Sequence, residues 1–146
     1  MPLIKTCAHC GTKNRIPAGH LADTGRCGAC KQPLPPSDEP LVADTALFDE
    51  VVREARVPVL IDFWAAWCGP CRMVAPEVAK TAAAMAGKAI VLKVDTEAQP
   101  QLSARYNIRS IPTLMIFSGG RLVQQQAGAV GQGQMMAWLQ AAGSAA

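Results

Sequence analysis

From residue 44 onward, apolar and polar positions fall into blocks of helical and strand period. In "DTALFDEVVREA", Leu47, Phe48, Val51, Val52 and Ala55 share one helical stripe, and Asp44 or Thr45 stands where a cap is needed. "PVLIDFW" follows as a continuous apolar run of strand length, the pattern of a buried parallel strand, broken by one acid, Asp62. From Cys68 to about Met85 the composition turns helical, with Pro76 inside it as a predicted kink. "AIVLKVD" reads as a second buried strand and "QPQLSARY" as a short helix. "TLMIFSGGRLVQQQAG" is two strands around a Gly119-Gly120 turn. "GQGQMMAWLQAA" closes the chain as a helix with Met135, Met136, Trp138 and Leu139 on its apolar face.

This order predicts an α/β fold: a central mixed sheet, parallel strands plus a C-terminal hairpin, with helices on both faces. Ahead of it lies a short, Cys-rich stretch. The connector "QPLPPSDEP", Gln32 to Pro40, is Pro-rich and polar and reads as extended. The expected organisation is a small N-terminal unit over residues 1–36 and an α/β domain over 37–146. No internal repeat is evident, and the three C-x-x-C pairs of the chain read as lying in unrelated contexts.

Composition narrows the class. Half of the 146 residues are hydrophobic and 17% are charged, which describes a folded globular protein rather than a disordered or coiled-coil one. No stretch approaches the ~18 consecutive apolar residues of a membrane span, and the N-terminus lacks a signal-peptide pattern, so the expected location is the cytosol. In a reducing compartment, six cysteines point to metal ligation or redox catalysis rather than to structural disulfides. The net charge of +3 is uneven: residues 1–36 carry Lys5, Lys13, Arg15, Arg26 and Lys31 against Asp23 alone. Four thiolates around one Zn²⁺ add a net charge of −2, which halves that excess and weakens any case for nucleic acid.

Cys7 and Cys10, then sixteen residues, then Cys27 and Cys30 match a zinc spacing in which each pair forms one tight knuckle. Gly11 and Gly28 stand where such turns take small residues. Four Cys ligands leave no open position for water, so one structural Zn²⁺ is the expected cofactor, with no organic cofactor. Two reversible disulfides or an iron centre are the other fillings of this spacing. His9 and His20 are available as further ligands, although a complete four-cysteine set leaves them as surface residues. A segment this short cannot bury enough apolar surface to fold unaided, so metal loss is expected to unfold it. Zinc-bound thiolates remain oxidisable, and Cys7/Cys10 or Cys27/Cys30 disulfides are expected to expel the metal.

Cys68-Gly69-Pro70-Cys71 is different: it follows a buried strand and opens a helix, the context of thiol–disulfide exchange. The positive end of a helix dipole favours a thiolate on the first cysteine, which makes Cys68 the nucleophile. Cys71, one turn deeper, is expected to be less exposed and to resolve the mixed disulfide. Pro70 suits the first turn, where its missing N–H has no partner to lose.

"FWAAWCGPCRMVAP", followed by "KVD", "IPT" and a late Gly, resembles the thioredoxin family from roughly Asp38 to the C-terminus. The four-cysteine segment ahead of it resembles the zinc-carrying second kind of bacterial thioredoxin. The resemblance implies a thioredoxin fold behind a zinc ribbon. It implies Cys68 as attacking thiol, Cys71 as resolving thiol, Asp62 as the buried carboxylate that accepts the Cys71 proton, and Lys93 as its nearby cation. It also implies a cis Ile111-Pro112 bond and a docking surface of Trp67, Gly69, Pro70, Ile111, Pro112 and Gly128. Trp64 and Trp138 are expected in the core. The implied activity is protein disulfide reduction, with an NADPH-dependent thioredoxin reductase and disulfide-containing client proteins as partners.

Two other readings compete. A binding module that uses the basic segment to hold a protein or nucleic acid is disfavoured by the intact WCGPC and by the lack of any Phe, Tyr or Trp in residues 1–36 to stack a base. A secreted, disulfide-stapled protein is disfavoured by the missing signal peptide.

Overall fold

The apolar run around Asp62 becomes the middle strand of a five-stranded sheet. The computed structural model describes residues 3–144. The sheet is built from β5 (Leu41–Val42), β6 (Val59–Trp64), β7 (Ile90–Asp95), β8 (Thr113–Ser118) and β9 (Arg121–Ala127), in the order β5-β7-β6-β8-β9. β7 runs parallel to β5 and β6, while β8 and β9 are antiparallel additions. Helices α1 (Thr45–Glu54), α2 (Gly69–Ala84), α3 (Pro100–Arg105) and α4 (Gln132–Ser144) complete the domain.

Alternation along the central strands sends successive side chains to opposite faces. Ile61, Phe63, Leu92, Met115 and Phe117 pack with Leu47, Phe48 and Val51 of α1 and Leu102 of α3. Leu60, Val91, Leu114 and Ile116 pack with Val74, Val78 and Ala82 of α2 and Met135 and Leu139 of α4. Asp44 caps α1, its carboxylate accepting the Leu47 N–H at 2.8 Å. α2 continues through Pro76.

The N-terminal segment holds two small hairpins, β1 (Leu3–Thr6) with β2 (Lys13–Ile16) and β3 (Gly25–Arg26) with β4 (Pro33–Leu34). Between them a 3-10 turn, Ala18–His20, leads into Leu21. Ala18 and Leu21 are buried in the same core cluster as Leu47 and Phe48, and Gly19 packs so close to Glu54 that a Cβ would lie 3.2 Å from its carbonyl oxygen.

Three expectations are corrected here. The connector is extended where Pro33–Leu34 forms a strand, but it is not wholly polar or a bare link: Leu34 is buried, and the Ser37 N–H donates to the Leu21 carbonyl at 2.9 Å. β5 carries no sequence signal, because two residues show no period, and its place comes from pairing with Leu92 and Lys93. The two N-terminal C-x-x-C pairs do not lie in unrelated contexts, since both are built on one backbone plan, described below.

Candidate active site and metal centre

β6 delivers the chain to the N-terminus of α2 through Ala65, Ala66 and Trp67. Cys68 is the N-cap, in extended conformation, and its Sγ lies 3.1 Å from the Cys71 N–H that donates to it. The two cysteines are joined as a disulfide. Cys68 and Cys71 are 3% and 4% exposed, so the expected greater exposure of Cys68 is not found in this disulfide form. The two sulfurs are bonded to each other, and Ala65, Trp64 and Ile111 pack against them. The Ile111 carbonyl oxygen approaches Cys68 Sγ to 3.6 Å.

Around this buried pair the rim is open and apolar. Trp67 and Met73 are 65% and 75% exposed, and Gly69 and Pro70 are exposed beside them. The Trp67 indole N–H donates to Glu97 at 2.6 Å. Arg72 folds back to donate two hydrogen bonds to the Ala66 carbonyl, at 3.2 and 2.7 Å, which braces the turn before Cys68. Ile111-Pro112 is cis. The Gly128 N–H donates to the Pro112 carbonyl at 2.8 Å, and Gly128 has φ +97°, a conformation L side chains rarely adopt. Gly128 therefore comes to the cis-proline loop. Glu97 was not foreseen, because it belongs to no motif and only the fold brings it to Trp67, 30 residues away in sequence.

Asp62 is 1% exposed, and neither carboxylate oxygen has a hydrogen-bond partner. Its place on β6 sends it to the face shared by Leu60, which α2 covers. Desolvation pushes its carboxyl up to about 6, and the Lys93 charge works against that rise. Lys93 is the register partner of Asp62 on β7, with its Nζ 4.7 Å above the Trp64 ring. An end-of-strand, solvated Asp62 is excluded by this burial. Trp64 is half-buried against the pair, and Trp138 packs at the edge of the α4 core.

The other four cysteines converge. Their Sγ atoms all lie within 4.8 Å of one another, with Cys7 to Cys30 and Cys10 to Cys27 each at 3.6 Å. A zinc tetrahedron with Zn–S bonds near 2.3 Å has sulfur–sulfur edges of about 3.8 Å, so this donor set fits the ion. In each knuckle the first cysteine's sulfur receives an amide N–H from two residues on, His9 to Cys7 and Ala29 to Cys27, both at 3.4 Å. Its carbonyl receives Gly11 N or Lys31 N at 3.0 Å, and its own N–H reaches Thr12 or Gln32 at 2.9 Å. The left-handed residue of each knuckle is Gly11 (φ 76°) and Lys31 (φ 67°), so the second knuckle's counterpart of Gly11 is Lys31 and not Gly28. Lys31 holds that conformation with its Nζ donating to the Gly28 carbonyl at 3.0 Å. His9 is an exposed knuckle residue, while His20 pairs with Asp23 at 2.7 Å; neither belongs to the four-sulfur cluster.

A redox pair at a helix N-terminus, behind the central strand of a mixed sheet, defines a thiol–disulfide oxidoreductase with an added metal-ribbon segment. Comparison with known proteins agrees. Residues 39–141 match the thioredoxin family, and residues 6–32 match the zinc ribbon described as Thioredoxin 2, N-terminal. The chain belongs to the thioredoxin family. It is 42% identical to Thioredoxin C-3 of Corynebacterium nephridii, over 94% of this chain and 93% of that one. It is 57% identical to Thioredoxin 1 of Nostoc sp., over 57% of this chain and 78% of that one. Among solved structures, a mutant thioredoxin from Halobacterium salinarum superposes with a TM-score of 0.68 at 31% identity, covering 73% of this chain and 93% of that one. Among the described residues no helix is long and apolar enough to cross a membrane.

Proposed function

We propose that this member of the family reduces disulfides of cytoplasmic client proteins, with Cys68 attacking and Cys71 resolving. The observation that carries the assignment is the hydrogen bond from the Cys71 N–H to Cys68 Sγ, 3.1 Å. At a helix N-terminus this donor and the dipole favour a negative sulfur at Cys68 and give no such support to Cys71.

The Cys68 thiolate attacks a client sulfur, forming a mixed disulfide and expelling the client's other sulfur as a thiolate. Asp62, poised near neutrality by burial, takes the Cys71 proton. The Cys71 thiolate then attacks Cys68 Sγ, closing the Cys68–Cys71 disulfide and releasing the second client thiolate. Lys93 tunes Asp62. Trp67, Gly69, Pro70, Ile111, Pro112 and Gly128 form the docking surface, with Ile111 backbone groups available to an extended client segment. Two electrons from an NADPH-dependent thioredoxin reductase restore the dithiol.

Cys7, Cys10, Cys27 and Cys30 would hold one Zn²⁺. When bound, the ion cross-links the two knuckles and offers no open coordination position, so its contribution is structural. Reduction of a model protein disulfide by the full chain and by a form beginning at Ser37, with metal content measured on both, tests the proposal. Stoichiometric zinc in the full chain alone, with turnover in the full chain and reduced turnover in the shorter form, supports it. Absence of turnover in the full chain with a competent reductase would overturn the activity.

A further inference from the structure

The two knuckles follow one backbone plan, and the plan is broken at one pair of equivalent positions. Four residues after the second cysteine of each knuckle stands Asn14, on β2, and Leu34, on β4. Leu34 is buried and packs in a cluster with Cys7 and Cys27. Asn14 instead reaches across to the opposite knuckle. Its Oδ1 accepts the Gly28 N–H at 2.9 Å, while its Nδ2 donates to the Thr12 carbonyl at 3.1 Å and to Cys27 Sγ at 3.6 Å. One side chain thus ties the backbones of both knuckles and touches a metal-ligating sulfur.

The consequence is an unequal pair of inner cysteines. Cys7 and Cys27 are both buried, and each receives the backbone N–H of the residue two positions on. Cys27, fully buried, receives the Asn14 amide as well. Four thiolates and one Zn²⁺ carry a net charge of −2, and a hydrogen bond donated to a sulfur withdraws part of that charge. Groups of this kind orient ligands and tune how firmly they hold the metal.

We infer that Asn14 is a positioning residue of the metal centre, which holds the two knuckles at ligating distance and draws charge from the Cys27 thiolate, and so sets how long the site retains zinc. The inference rests on the reading that these four cysteines hold zinc.

Two variants of the full chain separate its parts. Asn14→Leu places the side chain found at the equivalent position and removes all three hydrogen bonds. Asn14→Asp keeps an acceptor for the Gly28 N–H and removes the donor to both Cys27 and the Thr12 carbonyl. Zinc transfer to a chromogenic chelator is expected to speed up in both, by about 10- to 100-fold in Asn14→Leu. In the Co²⁺-loaded proteins, the sulfur-to-metal charge-transfer band is expected to move to lower energy in Asn14→Leu, because one thiolate becomes more electron-rich. If Asn14→Leu fails to fold its ribbon, Asn14→Asp decides by the same two readouts. Wild-type release rate and band position in Asn14→Asp would overturn the Cys27 contact and reduce Asn14 to a tie between backbones. Wild-type protein that takes up no zinc would overturn the zinc reading and this inference together, whereas zinc-replete wild type with unchanged variants overturns the inference alone.

Discussion

Asp62 and Lys93 face each other as register partners on adjacent strands, yet the carboxylate has no hydrogen-bond partner and the ammonium sits over the Trp64 ring. The cation therefore moderates the buried acid without neutralising it, and Asp62 remains up at about 6. A group whose folded value exceeds its unfolded value of about 3.9 binds its proton more tightly in the folded state. Stability must then fall as pH rises from about 4 to about 6, and the loss persists above that. A rise of about two units corresponds to about 3 kcal/mol. Asp62→Asn lacks this slope, so its stability relative to wild type is expected to be about 3 kcal/mol more favourable at pH 8 than at pH 3, by denaturant unfolding of the oxidised proteins. The same variant is expected to turn over more slowly near neutral pH. Equal pH slopes in both proteins would show that Asp62 is not the buried acid it resembles, and unimpaired turnover would remove it as proton acceptor.

The asymmetry of the redox pair predicts which cysteine holds a client. Cys71→Ser is expected to accumulate mixed disulfides through Cys68, because the resolving sulfur is gone, whereas Cys68→Ser is expected to trap none. Non-reducing gels of each variant incubated with a disulfide-containing protein decide this. Comparable trapping by both variants would mean that the N-cap position does not set the roles.

Ala18 and Leu21 bind the stability of the α/β domain to the N-terminal segment, because both lie in the core formed with α1. Leu21→Ala is expected to cost about 2 to 5 kcal/mol, the range for truncating a buried leucine. All three tryptophans, Trp64, Trp67 and Trp138, lie after the segment, so their fluorescence reports unfolding of the α/β domain alone. A truncation at Ser37 should shift that transition in the same direction. An unmoved fluorescence transition in both proteins would mean that the two parts are energetically independent.

Much of this was readable because it is periodic or stereotyped. Long apolar runs such as Val59 to Trp64 and stripes such as Leu47, Phe48 and Val51 declare their elements, and the cysteine spacing announces two chemistries. The missing parts share a physical character: they are short and fixed from a distance. Leu41 and Val42 become a strand only because β7 offers an open edge. Lys31 holds a left-handed conformation that no side chain of its type announces, because the turn geometry repeats that of Gly11 and the Lys31 side chain ties back to its own knuckle. Leu34, inside a Pro-rich polar stretch, is drawn into the interior by the cysteine cluster. The burial of Cys68 belongs to the closed disulfide and to Ile111, which lies 43 residues away in sequence.

The four-cysteine site is unevenly shielded, and this predicts where oxidants enter. Cys7 and Cys27 are buried, Cys30 is intermediate, and Cys10 is exposed. Peroxide should therefore oxidise the Cys10 thiolate first, leaving a sulfenic acid and hydroxide. The Cys10 sulfur lies 3.6 Å from that of Cys27, on the other knuckle. Attack by the Cys27 thiolate would expel hydroxide and close a Cys10–Cys27 disulfide, a cross-knuckle bond rather than a bond within one C-x-x-C pair. Two ligands would then be lost at once and the metal released. Because Leu21 lies in the shared core, reductase activity is expected to fall along with zinc. The check is a peroxide titration in which zinc release, reductase activity and disulfide-linked peptides are followed on the same samples. Peptides joining Cys7 to Cys10 or Cys27 to Cys30 would refute the cross-knuckle route. Metal that stays bound until Cys68 and Cys71 are fully oxidised, or that leaves with activity unchanged, would make the ribbon a permanent structural part with no response to oxidants.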